Sequence, residues 1–469
     1  MKMKKTFVIF FTLIFALNSS LVFSEDSQNP VYTYDDLVFQ LSKNNLELQN
    51  LKEEYFRSTL DVKDAKASRG PTVDLQLSGT YMTNALEDPI YLNLSEVVDS
   101  IQWPAGTKPT LDSQYIQIYE GMENTLYNIE FAVLQPLFTW GKINKAVKLY
   151  KELSDVKGLQ LISTQNQLEA ELKIRLATLN YLYSIIDLIE ESDVLTKRLV
   201  EFSEKAEESG MMIAQDVLEA RVQAKQLEIT KYELSEEIKN QLLEIEKLTG
   251  VKNLSKENID FKIDNEEIQQ IMTSNREEIL TKATSLEQES IKMLNQVERI
   301  NSLAEQIAKG SVNWKPDIAL QVSGSYGGSR VPLLEQNWLL KDDFSFNLSV
   351  GIKATVWDGG KKLRDVSRKV SETKTAKINT EDAKQTISQT LNSQWNTIDL
   401  CNLKIDYQDL KIQAIESKIK LKEIEFENGY SSEADVLMVK IECLTEKIGK
   451  IQEMMNRDIA CMTISLLTK

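Results

Sequence analysis

The sequence predicts a mainly α-helical chain, built by internal duplication, whose long coiled-coil helices accompany four membrane-spanning β-strands. Three observations predict it. Two pairs of segments alternate apolar and polar residues, each pair is followed by a very long helical pattern, and the two halves match at constant spacing. The clearest alternating segment is 344–356. There Phe344, Phe346, Leu348, Val350, Ile352, Ala354 and Val356 alternate with Ser345, Asn347, Ser349, Gly351, Lys353 and Thr355. Neighbouring side chains of a strand point to opposite faces, so one face is apolar and the other polar or small. Trp357-Asp358-Gly359-Gly360 then signals a turn, and a charged helical pattern follows. We read this as the point where a membrane β-barrel hands over to a helical tube, with the Phe344/Phe346/Leu348 face towards lipid.

Composition narrows the function classes. Of 469 residues, 27% are charged, while Gly and Pro number 17 and 8. That balance suits long helices or coiled coil. The formal net charge of −16 disfavours nucleic acid as a partner, because phosphate contacts need Lys and Arg. The chain has no His, the commonest general base and metal ligand. No catalytic residue, metal or cofactor is expected, and no enzyme. Residues 1–24 read as a secretory signal: Lys2, Lys4 and Lys5 precede a short apolar run, with small-residue processing before Glu25. That run is too short to span a bilayer. No long apolar run follows it, so a membrane-crossing mature chain must cross as a β-barrel. Cys401, Cys443 and Cys461 are odd in number and lie in the last helical stretch, where they read as small buried residues.

Taken in order, residues 34–68 form an amphipathic helix that Arg69-Gly70-Pro71 stops. Val73, Leu75, Leu77, Gly79 and Tyr81 alternate with polar residues as a first strand. A long acidic loop separates it from a return strand that begins at Ile129 and ends near Phe138. From Lys142 a helical pattern runs to about Ser209, roughly 100 Å at about 1.5 Å per residue. Its a/d seam is Leu168, Leu172, Leu179, Leu182, Ile186 and Ile189, with Arg175 as the polar exception. Gly210 interrupts it, a second helix covers 214–248, and 251–275 is a polar connector. The pattern then repeats: a helix over 276–309, strands at 317–326 and 344–356, and helices to the end.

The duplication is read directly from the residues. PTVDLQLSGTY (71–81) matches PDIALQVSGSY (316–326) at a spacing of 245, while Gly141-Lys142 and Gly360-Lys361 are 219 apart. Gly210 and Gly429 are also 219 apart, as are Asp216-Val217-Leu218 and Asp435-Val436-Leu437. The long helices therefore have equal length in both halves, and only the loop of the first hairpin is longer. The expected organisation is a signal (1–24), a first repeat (25–250, hairpin 72–138, long helices 142–250), a connector (251–275) and a second repeat (276–469, hairpin 317–357, long helices 361–468). Four strands cannot close a barrel around a pore, and open edges are not tolerated in lipid, so several chains must share one barrel. Trp140, Trp314 and Trp357 stand at strand–helix junctions, where an interfacial girdle would lie. Gly141, Gly359 and Gly360 mark the strand–helix hinges.

These residues resemble the TolC family of outer-membrane efflux ducts across essentially the whole mature chain. The resemblance rests on the duplication, on QPLFTWGK (135–142) and TVWDGGK (355–361), on the G-x5-D-V-L motif at Gly210 and Gly429, and on the Leu-Thr-Gly helix end at Leu248. It implies a homotrimer with a shared twelve-stranded β-barrel in outer-membrane lipid and an α-helical barrel crossing the periplasm. It implies a passive exit duct of an efflux or type I secretion system. A periplasmic adaptor protein would connect it to an inner-membrane pump of RND, ABC or MFS type. Gly210 and Gly429 would be adaptor-docking turns, and Asp435, with its counterpart Asp216, would line the pore entrance. Ser432 and Asp435 also fit a capping box, so Asp435 has a structural reading beside the pore one. The gate region departs from the family: Met438 replaces an acidic residue, and Phe426 and Ser431 replace a Tyr and an Arg that latch the closed gate in its best-known member. The alternative function is a secreted coiled-coil structural or adhesive protein, which accounts for the helices and signal but not for the apolar-faced hairpins.

Overall fold

A computed structural model describes residues 30–83, 88–119, 125–312, 316–328, 344–355 and 357–468. The expected signal (1–24), Trp314 and Val356 lie outside the described residues. The chain opens with strand β1 (Tyr32–Thr33) and helices α1 (Tyr34–Asn44) and α2 (Leu46–Ala67). Thr33 and Asp36 form a reciprocal capping box at the start of α1. The single helix expected over 34–68 is broken at Asn45, whose backbone is extended. Asn45 stops α1 and restarts the chain. Its Oδ1 accepts from the backbone N–H of Glu47 at 3.0 Å and from that of Leu48 at 3.2 Å, as an N-cap side chain does.

The first hairpin pairs β2 (Thr72–Tyr81) with the later strand β5 (Thr125–Phe138). The loop between them holds a two-stranded ribbon, β3 (Ile90–Asn93) and β4 (Tyr115–Tyr119), and the short helix α3 (Leu94–Ser100). Helices α4 (Lys142–Glu208) and α5 (Ala214–Thr249) follow. The connector is more ordered than its polar sequence suggests. Its strand β6 (Ile259–Asp260) pairs in parallel with β1, and helix α6 (Asn265–Thr273) is capped by Asp264. The helix expected over 276–309 is two, α7 (Arg276–Ala283) and α8 (Glu289–Val312); the Gln288 side chain accepts from Ile291 N–H (2.8 Å) at the restart. Strands β7 (Asp317–Gly328) and β8 (Phe344–Lys353) form the second hairpin, followed by α9 (Lys361–Glu427) and α10 (Glu433–Leu467). Helices α4 and α9 are each 67 residues long, as equal spacing of the repeats requires.

The chain divides into two compact units. One holds Asn50–Ser163 and Leu280–Gln389, and with them the four-stranded antiparallel sheet in the order β2-β5-β7-β8. The other holds the chain up to Gln49, Thr164–Ile279 and Thr390–Lys469. In this second unit α4 buries Leu168, Leu172, Leu176, Leu179, Leu182, Ile185 and Ile189. Two expected seam positions shift. Leu176 replaces Arg175, and Ile185 replaces Ile186, because steps of four and three from Leu172 to Ile189 keep one stripe on the core side. Arg175, half-buried, pairs with Glu171 (2.7 Å) and reaches Gln241 and Glu244 of α5 at 3.3 and 3.8 Å.

Helices α9 and α10 pack through Ile412, Ile415, Val439 and Cys443. Charges a heptad apart along α9 flank this seam. On one side Lys404, Lys411 and Lys418 reach Glu453, Glu446 and Glu442 at 2.9, 2.6 and 3.1 Å. On the other, Asp409, Glu416 and Glu423 take Lys450, Lys447 and Lys440 at 2.5, 3.4 and 2.7 Å. Single exposed pairs contribute about 0.2–1 kcal/mol, so these rails set antiparallel register more than they stabilise.

Helix α4 meets α10 through Leu199, Ala434 and Leu437. Further along the same contact, the Tyr181 hydroxyl donates to Asp458, which is 2% exposed and also accepts from Arg457 Nε (2.8 Å). Burial and the neighbouring carboxylate hold the Tyr181 phenol well above its ordinary pKa. Cys461 is pushed up to about 12 by burial and by Asp458, so its thiol stays protonated and inert. Removing one partner of a buried charge pair leaves the other uncompensated. Asp458→Ala is therefore expected to cost about 3–5 kcal/mol, read as an earlier denaturation midpoint in the helical circular-dichroism signal. Asp458→Asn, which keeps an acceptor for Tyr181, should lose less.

Candidate functional site

The sheet brings four amphipathic strands into one register. Val73, Leu75 and Leu77 on β2 stand opposite Val133, Phe131 and Ile129 on β5. Ile129, Phe131 and Val133 stand opposite Tyr326, Gly324 and Val322 on β7. Tyr326, Gly324, Val322, Leu320 and Ile318 then face Phe344, Phe346, Leu348, Val350 and Ile352 on β8. Directly opposed residues share a face, so the four apolar stripes merge into one continuous apolar surface. The other face carries Asp74, Gln76, Ser78, Asn128, Glu130, Ser323, Ser325, Ser345 and Asn347. Ten residues of β8 rise about 33 Å, which at barrel tilt covers roughly the ~25 Å apolar band of an outer-membrane barrel. Among the described residues no helix is long and apolar enough to cross a membrane.

Aromatic rings bound this apolar surface at both ends. At the hairpin-loop end Tyr127, Tyr326 and Phe344 form a row with centroids 5.6 and 4.7 Å apart, and the two tyrosine hydroxyls are 3.2 Å apart. The sequence reading missed this row, because Tyr127 precedes the expected strand start at Ile129. At the helix end lie Phe138, Trp140 and the exposed Trp357. The repeat pairs Trp357 with Phe138, and Trp140 with Gly359. Trp140 (φ 54°) and Gly359 (φ 65°) are both left-handed, and Gly141 and Gly360 follow at φ 78° each. The hinge thus needs two successive left-handed residues in each repeat. A non-glycine there costs about 1–2 kcal/mol. Trp140 is held by its Nε1–H bond to the Pro316 carbonyl (2.9 Å) and by edge-on packing against Phe138 (4.6 Å). Lys142 pairs with Asp317 (2.9 Å) beside it. In the second hinge the Asp358 carboxylate accepts from Lys362 N–H (2.9 Å) and Gly360 N–H (3.0 Å), which hold it below the usual carboxylate range.

The two helix tips are built alike. Gly210 (φ 68°) and Gly429 (φ 74°) end α4 and α9 in left-handed turns. Open space surrounds the place of a Cβ at both, so the backbone alone selects glycine. Met211 N–H donates to Ala206 O (2.8 Å) and Gly210 N–H to Glu207 O (2.9 Å). Tyr430 N–H donates to Glu425 O (2.8 Å) and Gly429 N–H to Phe426 O (3.0 Å). Each is a Schellman closure. It leaves Met211 and Tyr430 almost fully exposed.

The starts of α5 and α10 differ. Ile213 gives α5 no side-chain cap. Ser432 and Asp435 close a reciprocal box on α10, with Ser432 Oγ (2.7 Å), Ser432 N–H (2.9 Å) and Ser431 Oγ (3.0 Å) all donating to Asp435 Oδ2. The Ser432 hydroxyl and backbone hold the Asp435 pKa below its ordinary value. Asp216 is exposed on the first turn of α5. Phe426 and Met438 are exposed, and Met438 also borders a cleft of about 590 Å³ over Ile185, Ile189, Leu227, Ile441 and Ile448, which no sequence motif announced. Among the described residues no cluster of acidic or Cys side chains is arranged to hold a metal.

No family model matches the chain, and no curated protein matches it. Solved structures match nearly all of it. The outer membrane protein VceC of Vibrio cholerae aligns with a TM-score of 0.68 at 14% identity, over 93% of this chain and 94% of its own. The CmeC outer membrane channel of Campylobacter jejuni gives 0.70 at 12% identity, over 93% and 85%. The open-state MtrE outer membrane channel of Neisseria gonorrhoeae gives 0.64 at 11%, over 93% and 88%. The chain has the fold of the TolC-type outer-membrane channels. At such low identity it is the architecture that is shared: long paired helices together with a four-stranded hairpin sheet.

Within this TolC-type fold the tip asymmetry is measurable. Loss of an N-cap costs about 1 kcal/mol. Ser432→Ala should therefore lower protection of the first-turn amides of α10 about fivefold in hydrogen exchange, leaving those of α5 unchanged. The Asp435 contribution has a pH sign. Its folded pKa is depressed from the ordinary value of 3.8. Such a carboxylate stabilises fully above the unfolded pKa, and its contribution is lost as pH falls through the folded one. Protection of α10 should fall in that window, and in Ser432→Ala the fall should begin at higher pH.

Proposed function

We propose that the chain is the outer-membrane exit duct of a tripartite efflux or type I secretion system. Its continuous apolar sheet face, carried on two open edges, is the observation that supports this reading. In the proposed assembly three copies join β8 of one to β2 of the next and close a twelve-stranded barrel. The apolar face, Phe344, Phe346 and Leu348 included, meets outer-membrane lipid, and Trp140, Trp314 and Trp357 stand at the periplasmic interface. The polar face lines the water-filled lumen. The helices extend into the periplasm, with residues 1–24 removed as a signal and the two repeats (25–250 and 276–469) contributing alike around the connector.

Transport through such a duct is passive. Energy comes from an inner-membrane pump of RND, ABC or MFS type, linked by a periplasmic adaptor. Gly210 and Gly429 shape the turns on which the adaptor docks, and exposed Met211 and Tyr430 support that role by presenting side chains away from the helices. Asp435 and Asp216 place carboxylates near the pore entrance, beside Phe426, Ser431 and Met438. Capping and pore roles are compatible for Asp435, since all three donors take Oδ2.

Cell fractionation and conductance test the proposal together. The full chain should sediment with outer membrane, resist release without detergent, and open cation-preferring pores in planar bilayers. Recovery in the soluble periplasmic or extracellular fraction would sink the duct. Asp435→Asn should weaken block of the pore by divalent cations; unchanged block would leave Asp435 as a helix cap alone.

A further inference from the structure

A cleft of about 590 Å³ lies where α4, α5 and α10 meet, and all of its lining belongs to one compact unit of one chain. Its floor is apolar, formed by Ile185, Ile189, Leu227, Leu234, Ile441 and Ile448. Two hydroxyls interrupt that floor. Ser192 and Thr196 line the cleft and are each 3% exposed. They stand one turn apart on the same face of α4, about 6 Å along its axis.

Neither hydroxyl has a hydrogen-bond partner among the described residues. Elsewhere on the helices a buried hydroxyl closes on the carbonyl one turn back, as Ser203 does on Leu199 O (2.8 Å) and Thr249 on Ile245 O (2.8 Å). A buried polar group without a partner is destabilising, so this pair marks the place of a missing ligand group. The mouth of the cleft is polar, with the exposed carboxamides of Gln223, Gln226 and Gln452. The one ionisable side chain on the lining is Glu442, and it already pairs with Lys418 of α9 (3.1 Å).

We infer that this cleft binds an uncharged amphiphile with an apolar ring frame and a carbonyl or ether acceptor. Its size, apolar lining and few convergent polar groups are those of a small-molecule site. The ligand's rings lie on the isoleucine and leucine floor, and Ser192 and Thr196 donate to its acceptor. A carboxylate or sulfonate is disfavoured by Glu442 at the mouth and by the cost of burying an unpaired charge. A cation fares no better, since it would have to take Glu442 from Lys418. Binding needs neither a second copy nor passage of solute through the chain.

Benzophenone is the probe: uncharged, two rings about one carbonyl, and photoreactive towards nearby C–H bonds. Irradiated with the full-length chain in detergent, it should give saturable adducts concentrated at 185–196, 223–234 and 438–452. Benzophenone-4-carboxylate, at equal free concentration, should give at most about a tenth of that yield. In the double variant Ser192→Ala/Thr196→Val the half-saturating concentration should rise about tenfold, through loss of two hydrogen bonds. The variant's thermal midpoint should be unchanged or higher, because these hydroxyls have no partner within the chain to lose. Scattered adducts that do not saturate, equal labelling by the carboxylate, or undiminished labelling of the variant would overturn the site. So would an absence of adducts at these segments, as when a neighbouring copy covers the cleft, and so would a lowered midpoint, which would make the hydroxyls structural. None of these results touches sedimentation with the outer membrane, which tests the duct separately.

Discussion

Unpaired backbone at the two edges of the sheet is the constraint on which the structure turns. The sheet has strands β2 and β8 at its margins, and each presents an outer row of N–H and C=O groups to nothing within the described chain. In water such edges are tolerable; in lipid each unsatisfied group costs several kcal/mol. The sheet also exposes one contiguous apolar face from Val73 to Ile352, and such a face marks a contact with protein or membrane rather than with water. In the proposed assembly the two demands are met together by closing the edges on further copies and turning the apolar face to lipid.

Duplication explains why one solution serves twice, and its departures show where the halves differ. Both tips use a glycine followed by an exposed side chain, since a Schellman closure needs a left-handed residue in that place. Both hinges need two left-handed residues in succession, and the first repeat meets one of them with Trp140 at a conformational cost offset by its bond to Pro316. The second repeat uses Gly359 there and moves the exposed aromatic to Trp357. At the tips the second repeat closes α10 with Ser432 and Asp435, whereas Ile213 leaves α5 uncapped. Charge rails lace α9 to α10.

Periodicity made most of the fold legible. Period-two alternation at 344–356 marked β8 to within three residues, because one face of that strand admits no polar side chain through Ile352. The constant spacing of 219 predicted helices of equal length, and α4 and α9 are equal. Local polar side chains hid the rest. Asn45 and Gln288 end one helix and start another through their own side-chain bonds, and an amphipathic pattern does not register a break so short. Arg175 was placed in the seam because a heptad count ran through it, while Leu176 one residue on keeps the stripe continuous. The ribbon β3–β4 sits in a stretch whose prolines and acids read as loop. At the candidate site, glycine spacing marked both tips, and the Ser-x-x-Asp pattern marked the Ser432–Asp435 box. The outer tyrosine row depends on cross-strand register between residues 199 apart in sequence, which no local pattern contains.

Electron microscopy of the detergent-solubilised protein tests the central proposal, that the sheet edges are completed by copies of the same chain. Views down the symmetry axis should show a single ring with threefold symmetry, and the particle mass should be three times that of the chain without residues 1–24 once detergent is subtracted. A stable, monodisperse monomer with its sheet intact would contradict it.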